Sequence, residues 1–115
     1  MSYPISRILA DHGKYAEAAD ALRLVLAEND PQAGKSTIAM LHYNLGIALK
    51  RNSDLQGAAN EFADAIKLLQ ADLAEKGDSA ETYLHLGHIY TASGNTQDAA
   101  SCYEKAKQLQ EDKQK

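Results

Sequence analysis

The chain has 115 residues, a formal net charge of −4 and one cysteine, which fits a single domain and excludes an internal disulfide. Its acidic balance argues against nucleic-acid binding, which requires neutralisation of phosphates. The most apolar stretch, residues 21–27, is too short to cross a bilayer and contains Arg23. We therefore expect no nucleic-acid partner, no membrane partner and a cytoplasmic location.

Apolar residues recur at helical spacing along the chain and predict helices throughout. Six helices are expected, at residues 4–12, 15–28, 36–51, 54–75, 79–92 and 95–111. They are separated by breaks at Gly13, Asn52-Ser53 and Gly94, because Gly and Asn tolerate the left-handed conformation that ends a helix. A new helical pattern follows each break almost at once, which predicts helix-turn-helix hairpins.

Two of the expected helix starts carry the residue pattern of a capping box, in which the first residue and the residue three positions later satisfy free backbone N–H groups. Asp78 with Glu81 fits this pattern at the fifth helix, and Asn95 with Asp98 fits it at the sixth. We therefore expect Asp78 and Asn95 to cap these helices.

The last third of the chain repeats the middle third with a constant shift in residue number. Leu45-Gly46 recurs as Leu86-Gly87, and Ala58, Phe62 and Ala65 recur as Ala99, Tyr103 and Ala106. A weaker copy lies upstream, with Ala18 and Leu22 at the positions of Ala58 and Phe62. A fixed period of about 40 residues predicts stacked units, each of which buries its apolar face against a neighbour.

This pattern resembles the tetratricopeptide repeat, which has Leu-Gly in its first helix, a Gly at the turn and small-large-small apolar positions in its second helix. The third unit fills every signature position, whereas the second has His42 and Leu49 in place of aromatic residues and Ser53 in place of the turn Gly. The resemblance implies an all-α fold, a superhelical stack of three helix-turn-helix hairpins. The repeats are expected at about 1–31, which is N-terminally truncated, at 37–75 and at 79–111.

The period is longer than the usual repeat of about 34 residues. The longer second helices that this period implies resemble those in the roughly 40-residue repeats of kinesin light chains and Pins-like polarity adaptors. This likeness is one of repeat length.

In the tetratricopeptide repeat family, the first helices of the repeats line a concave groove that holds a partner as an extended peptide or a helix. The groove positions in this sequence carry apolar, hydrogen-bonding and basic side chains. They are Arg7, Met40, Tyr43, Asn44, Ile47, Lys50, Arg51, Leu84, His85, His88 and Thr91. Asn44 is the foremost candidate, because its amide can both donate to and accept from a ligand backbone.

The resemblance thus implies a non-catalytic scaffold or adaptor that binds a protein or peptide partner in this groove. Two alternatives stay open. A truncated first repeat leaves one end of the stack uncovered, so the chain could form homo-oligomers through the stack ends. It could also be a regulatory fragment of a larger protein.

Three features suggest chemistry but lack the residues that the chemistry needs. His85 and His88 lie three residues apart on one helix but lack a third metal ligand. Residues 33–37 resemble the end of a phosphate-binding loop, but Asn29 stands where an earlier glycine is required. Cys102 has no paired base in the sequence. We therefore predict no catalytic residue, no metal ligand, no cofactor and no enzyme activity.

Overall fold

The computed structural model describes residues 14–28 and 32–113, and all regular structure in these ranges is α-helical. Helix α1 spans Tyr15–Ala27, α2 Lys35–Arg51, α3 Leu55–Lys76, α4 Ala80–Ala92 and α5 Thr96–Lys113. These bounds lie within two residues of the expected ones, and the all-α prediction is confirmed. The helix expected at 4–12, together with Arg7, lies outside the described residues.

Two turns of the same design join α2 to α3 and α4 to α5. Ser53 and Gly94 occupy the left-handed region with φ of 67° and 84°. One residue further on, the N–H of Asp54 donates to Leu49 O and the N–H of Asn95 donates to Tyr90 O, each at 2.8 Å. These bonds satisfy carbonyls that the helix ends leave free. The breaks expected at Asn52-Ser53 and Gly94 therefore end helices, as the sequence indicates.

The core runs through the stack and consists mainly of Ala and Leu side chains. Leu69 of α3 and Ile89 of α4 are the largest fully buried side chains. Within each hairpin, a glycine lets the two helices approach closely. A Cβ atom at Gly46 would lie 2.6 Å from the ring of Phe62, and one at Gly87 would lie 2.5 Å from the ring of Tyr103. The repeated Leu-Gly pairs thus fix the spacing of helices inside each hairpin.

The capping box expected at Asp78 is wrong by one residue. Ser79 is the N-cap of α4, and its hydroxyl accepts a hydrogen bond from the N–H of Thr82 at 3.4 Å. The carboxylate of Asp78 instead accepts a hydrogen bond from the hydroxyl of Tyr83 at 3.0 Å. This contact draws the Asp78 side chain away from the free N–H groups, and the neighbouring serine replaces it.

The starts of α3 and α5 are also capped by short polar side chains, as N-cap preferences predict. Asp54 accepts a hydrogen bond from the N–H of Gly57 at 2.9 Å. The side-chain oxygen of Asn95 accepts from the N–H of Asp98 at 3.2 Å, and the Asn95 amide donates to the Asp98 carboxylate. Among the described helices, none is long and apolar enough to cross a membrane.

Candidate functional site

A pocket of about 470 Å³ opens between α1, α2 and α4, and we call it the socket. It is lined by Val25 of α1, by Ser36, Thr37, Met40 and Leu41 of α2, and by Glu81 and His85 of α4. Because α2 and α4 begin consecutive hairpins, the socket lies where two repeats meet. Its volume falls within the range of protein pockets that hold ligands.

Two buried nitrogen atoms have no hydrogen-bond partner in the part of the chain that the structure describes. They are Nδ2 of Asn44 and Nδ1 of His85, which occupy the same position in successive repeats. The other ring nitrogen of His85, Nε2, lies 3.5 Å from the carboxylate of Glu81. An unsatisfied buried polar group costs about 1–3 kcal/mol, so a hydrogen-bond partner beyond the described residues would stabilise each of these atoms.

Two of the predicted groove cations, Lys50 and Arg51, lie at the opposite end of α2 from the socket, and both have intramolecular contacts. The ammonium of Lys50 donates to the carbonyl of Ala92 at 2.7 Å, at the free C-terminal end of α4. The guanidinium of Arg51 lies 5.8 Å from the ring centre of Tyr15. Both side chains are exposed. The C-terminal end of α2 therefore presents two positive charges, and each is positioned by its intramolecular contact.

Lys35 begins α2 beside the socket residues Ser36 and Thr37. Its ammonium lies 2.6 Å from the carboxylate of Glu75 near the end of α3. The hydrogen bond between them raises the pKa of Lys35 and lowers that of Glu75. This pair neutralises the charge of Lys35.

The remaining groove candidates lie along α2 and α4 outside the socket. Tyr43 and Ile47 pack against the core, with the Tyr43 ring centre 6.1 Å from that of Phe62. Leu84 is half-buried. The ring centre of His88 lies 5.8 Å from that of Tyr103. Thr91 donates its hydroxyl to the carbonyl of Gly87 at 2.8 Å. The structure therefore brings Met40 and His85 together in the socket and distributes the other candidates along the two helices.

A tetratricopeptide repeat family model matches residues 37–112, which is about two thirds of the chain. The chain belongs to the tetratricopeptide repeat family. Tetratricopeptide repeats generally mediate protein–protein interactions and are generally non-catalytic. A comparison with curated proteins finds no match. The likeness to kinesin light chains and Pins-like adaptors stays a prediction from repeat length.

The groove predicted from the sequence of this tetratricopeptide repeat protein omits Val25, Ser36, Thr37 and Leu41, and Glu81 is expected in a capping box. Ser36, Thr37 and Leu41 belong to the first two turns of α2, and Ser36 and Thr37 fall in the segment that resembles the end of a phosphate-binding loop. Val25 stands where the repeat usually has Ala. That larger side chain is the one signal in the sequence that α1 contributes to a pocket.

The tetratricopeptide repeat scaffold also carries two chemically distinctive groups whose residues do not line the socket. Cys102 is half-buried, and burial, together with the charge of Asp98, raises the pKa of its thiol. A raised pKa disfavours the nucleophilic thiolate, which fits a structural cysteine. The second group is a cluster of His42, Glu61 and Asp64, which sequence spacing alone did not reveal because it joins two helices.

Proposed function

We propose that this protein is a non-catalytic adaptor that binds a segment of a partner protein along the face formed by α2 and α4. The observation that carries the proposal is the combination of an open socket with two unpartnered buried nitrogens, on Asn44 and His85. The partner inserts an apolar side chain into the socket. Its backbone, or a polar side chain, supplies hydrogen bonds to the two nitrogens.

The walls of the socket support an apolar anchor. Val25, Met40 and Leu41 are half-buried apolar residues, and full burial of a Leu or Phe side chain contributes about 1.5–3 kcal/mol. The helices are already ordered, so the partner bears most of the entropic cost of binding. The hydrogen bonds to Asn44 and His85 add specificity, because a partner without matching groups would leave these nitrogens unsatisfied.

The positive charges at the other end of α2 suggest the register of the partner. Met40 and Lys50 are ten residues apart in one helix, which corresponds to about 15 Å at the helical rise of about 1.5 Å per residue. An extended peptide covers this distance in about four or five residues. We therefore expect an acidic residue four or five positions from the apolar anchor, within reach of Lys50 and Arg51.

The proposal is tested by affinity capture from a lysate of the source cell, read by mass spectrometry. The wild type is compared with Asn44→Ala and Met40→Glu, and with Asn60→Ala as the matched control, since Asn60 lies exposed on α3. Circular dichroism verifies that each variant keeps its helicity. We expect a partner that is retained by the wild type and by Asn60→Ala and is lost by both groove variants.

A peptide from the captured partner, spanning its apolar anchor and its acidic residue, is then titrated by fluorescence anisotropy. Asn44→Ala is expected to weaken the affinity about tenfold, which corresponds to about 1.4 kcal/mol. Capture of the same proteins in equal amounts by all four forms would place the interaction on another surface. It would contradict the groove proposal while leaving the fold assignment intact.

Self-association is a second candidate, and one observation favours it. Leu24 of α1, the first of the described helices, is 63% exposed. A contact between two copies that covers this side chain would remove its apolar surface from water. Sedimentation measurements over a range of protein concentrations test this function. A mass that stays monomeric and is unchanged by Leu24→Glu would rule it out.

A further inference from the structure

One imidazole and two carboxylates converge between the helices of the second hairpin, away from the socket. His42 projects from α2, and Glu61 and Asp64 project from α3. One ligand atom from each residue lies within 4.8 Å of the other two. The closest pair is His42 Nδ1 and a Glu61 carboxylate oxygen, at 2.7 Å.

The two closest side chains are largely shielded from solvent, whereas the third is exposed. The side chains of His42 and Glu61 are each 21% exposed, and Asp64 is exposed. Glu61 and Asp64 are three residues apart, so they lie on the same face of α3. That face is held against α2 by the close contact between Gly46 and Phe62. The backbone therefore presents the three groups from a fixed hairpin.

We propose that His42, Glu61 and Asp64 bind a divalent transition-metal ion, for which Zn²⁺ is the best-fitting candidate. Zinc accepts imidazole nitrogen and carboxylate oxygen at about 2.0–2.2 Å. Ligand atoms at these distances lie about 3.3 Å apart in a tetrahedral site. Asp64 reaches this spacing by a rotation of its exposed side chain, since the other two groups are already close together.

The donor set distinguishes zinc from the hard cations. Mg²⁺ and Ca²⁺ favour sites made wholly of oxygen atoms, whereas imidazole suits Zn²⁺ and its neighbours in the transition series. Two carboxylates and a neutral imidazole balance the charge of one divalent ion. A water molecule completes four-coordination, because three protein ligands leave one position open.

Metal binding replaces the hydrogen-bond contact of 2.7 Å between Nδ1 of His42 and the Glu61 carboxylate. On binding, the Nδ1 lone pair coordinates the ion. A neutral ring that held its proton on Nδ1 transfers that proton through solvent to Nε2, so the ligand is a neutral imidazole. The ion then joins α2 to α3 and stabilises the hairpin.

The residue types support a site that is particular to this chain. His42 occupies a position where the repeat signature has an aromatic residue, so the packing of the repeat does not call for a histidine there. His42 and Glu61 are both polar groups that lose hydration because they are largely buried. A metal ion bound by both side chains would offset this loss of hydration.

The experiment is a titration of the full chain with Zn²⁺ in chelator-free buffer. Long-range ¹H–¹⁵N spectra of the imidazole rings follow each histidine separately, and calorimetry gives the affinity. The test variant is Asp64→Asn, which changes an exposed group, and the matched control is Glu104→Gln, an exposed carboxylate on α5. Circular dichroism verifies that both variants are folded, and Mg²⁺ is titrated at the same concentrations.

We expect Zn²⁺ to shift Nδ1 of His42 at one equivalent and to raise the melting temperature, while Mg²⁺ does neither. Asp64→Asn should weaken binding at least tenfold, since even loss of a group that supports a ligand costs about 10–100-fold. Glu104→Gln should bind like the wild type. The proposal is overturned if Nδ1 of His42 does not shift, if Asp64→Asn binds as tightly as the wild type, or if Glu104→Gln loses affinity equally.

Discussion

The close packing of Gly46 against Phe62 makes Gly46→Ala a destabilising substitution, although alanine is the better helix former. Alanine gains about 1 kcal/mol over glycine in a helix interior. Its Cβ atom would lie 2.6 Å from the Phe62 ring, and Phe62 is only 3% exposed, so the ring cannot move into solvent. Overpacking costs about 1–3 kcal/mol. We expect a cost near the upper end of this range, because the Phe62 ring is confined. We expect a net loss of about 1–2 kcal/mol in the free energy of unfolding.

Gly87→Ala provides the matched comparison, because it makes the same change in the next repeat. Its Cβ atom would lie 2.5 Å from the ring of Tyr103, but Tyr103 is half-buried. That ring can rotate towards solvent, so the overpacking cost falls to about 1 kcal/mol and cancels the gain in helix propensity. The two equivalent alanine substitutions should therefore differ in stability by about 1–2 kcal/mol.

Urea unfolding monitored by circular dichroism measures both variants. A double-mutant cycle with Phe62→Leu isolates the contact. In the Phe62→Leu background the ring atoms are gone, so Gly46→Ala should become neutral or stabilising. The explanation is refuted if Gly46→Ala is as stable as the wild type, or if it costs the same with and without the Phe62 ring.

Three further outcomes follow from individual contacts. Asp54→Ala removes the N-cap of α3 and should lower the free energy of unfolding by about 1 kcal/mol, as measured in urea; a change below about 0.3 kcal/mol would contradict the cap assignment. Lys50→Met removes the exposed hydrogen bond to Ala92 and should cost about 0.5 kcal/mol, seen as a lower urea midpoint; no change would show that the bond contributes nothing. Because burial raises the pKa of Cys102, its reaction with a disulfide reagent at pH 8 should be slower than that of free cysteine and should accelerate through a higher pH range; equal pH profiles would contradict this.

The fold follows from the sequence mainly because it repeats. Ser53 would not by itself predict a left-handed turn, since serine rarely has a positive φ. Its alignment with Gly94 in the next repeat is what places a turn there, and both residues have positive φ. Comparison with the equivalent glycine in the next repeat thus predicts a turn at a serine that would not predict one by itself.

Features that depend on contacts between elements could not be predicted in this way. Asp78 and Ser79 are both able to cap α4, and the choice depends on where the Asp78 carboxylate finds partners. Those partners are the hydroxyl of Tyr83 and the ammonium of Lys105 on α5, at 3.0 and 3.6 Å. The second contact is tertiary, so no local pattern around Asp78 could reveal it.

The same distinction between repeat position and contacts between helices applies to the residues of the candidate site. Repeat position assigned Met40 and His85 to the first helices of consecutive repeats, and both residues line one socket in the structure. It did not place Val25, because its contribution depends on how α1 packs against α2. Likewise, the contact between Lys50 and Ala92 joins residues 42 positions apart. These residues belong to different repeats, and the signature describes only a single repeat.

Comparison of equivalent positions in the two complete repeats distinguishes residues that the packing of the stack requires from residues that are available to a ligand. Glycine recurs at 46 and 87 because the neighbouring ring leaves no room for a side chain. Polar residues recur at 44 and 85, yet each buries a nitrogen that nothing in the described part of the chain satisfies. An apolar residue there would avoid about 1–3 kcal/mol of unmet hydrogen bonding, a substantial part of the roughly 5–15 kcal/mol that typically stabilises a domain. Packing among the described residues therefore accounts for the glycines but leaves one nitrogen of Asn44 and one of His85 without a partner, and a bound partner that satisfies both nitrogens would offset their cost.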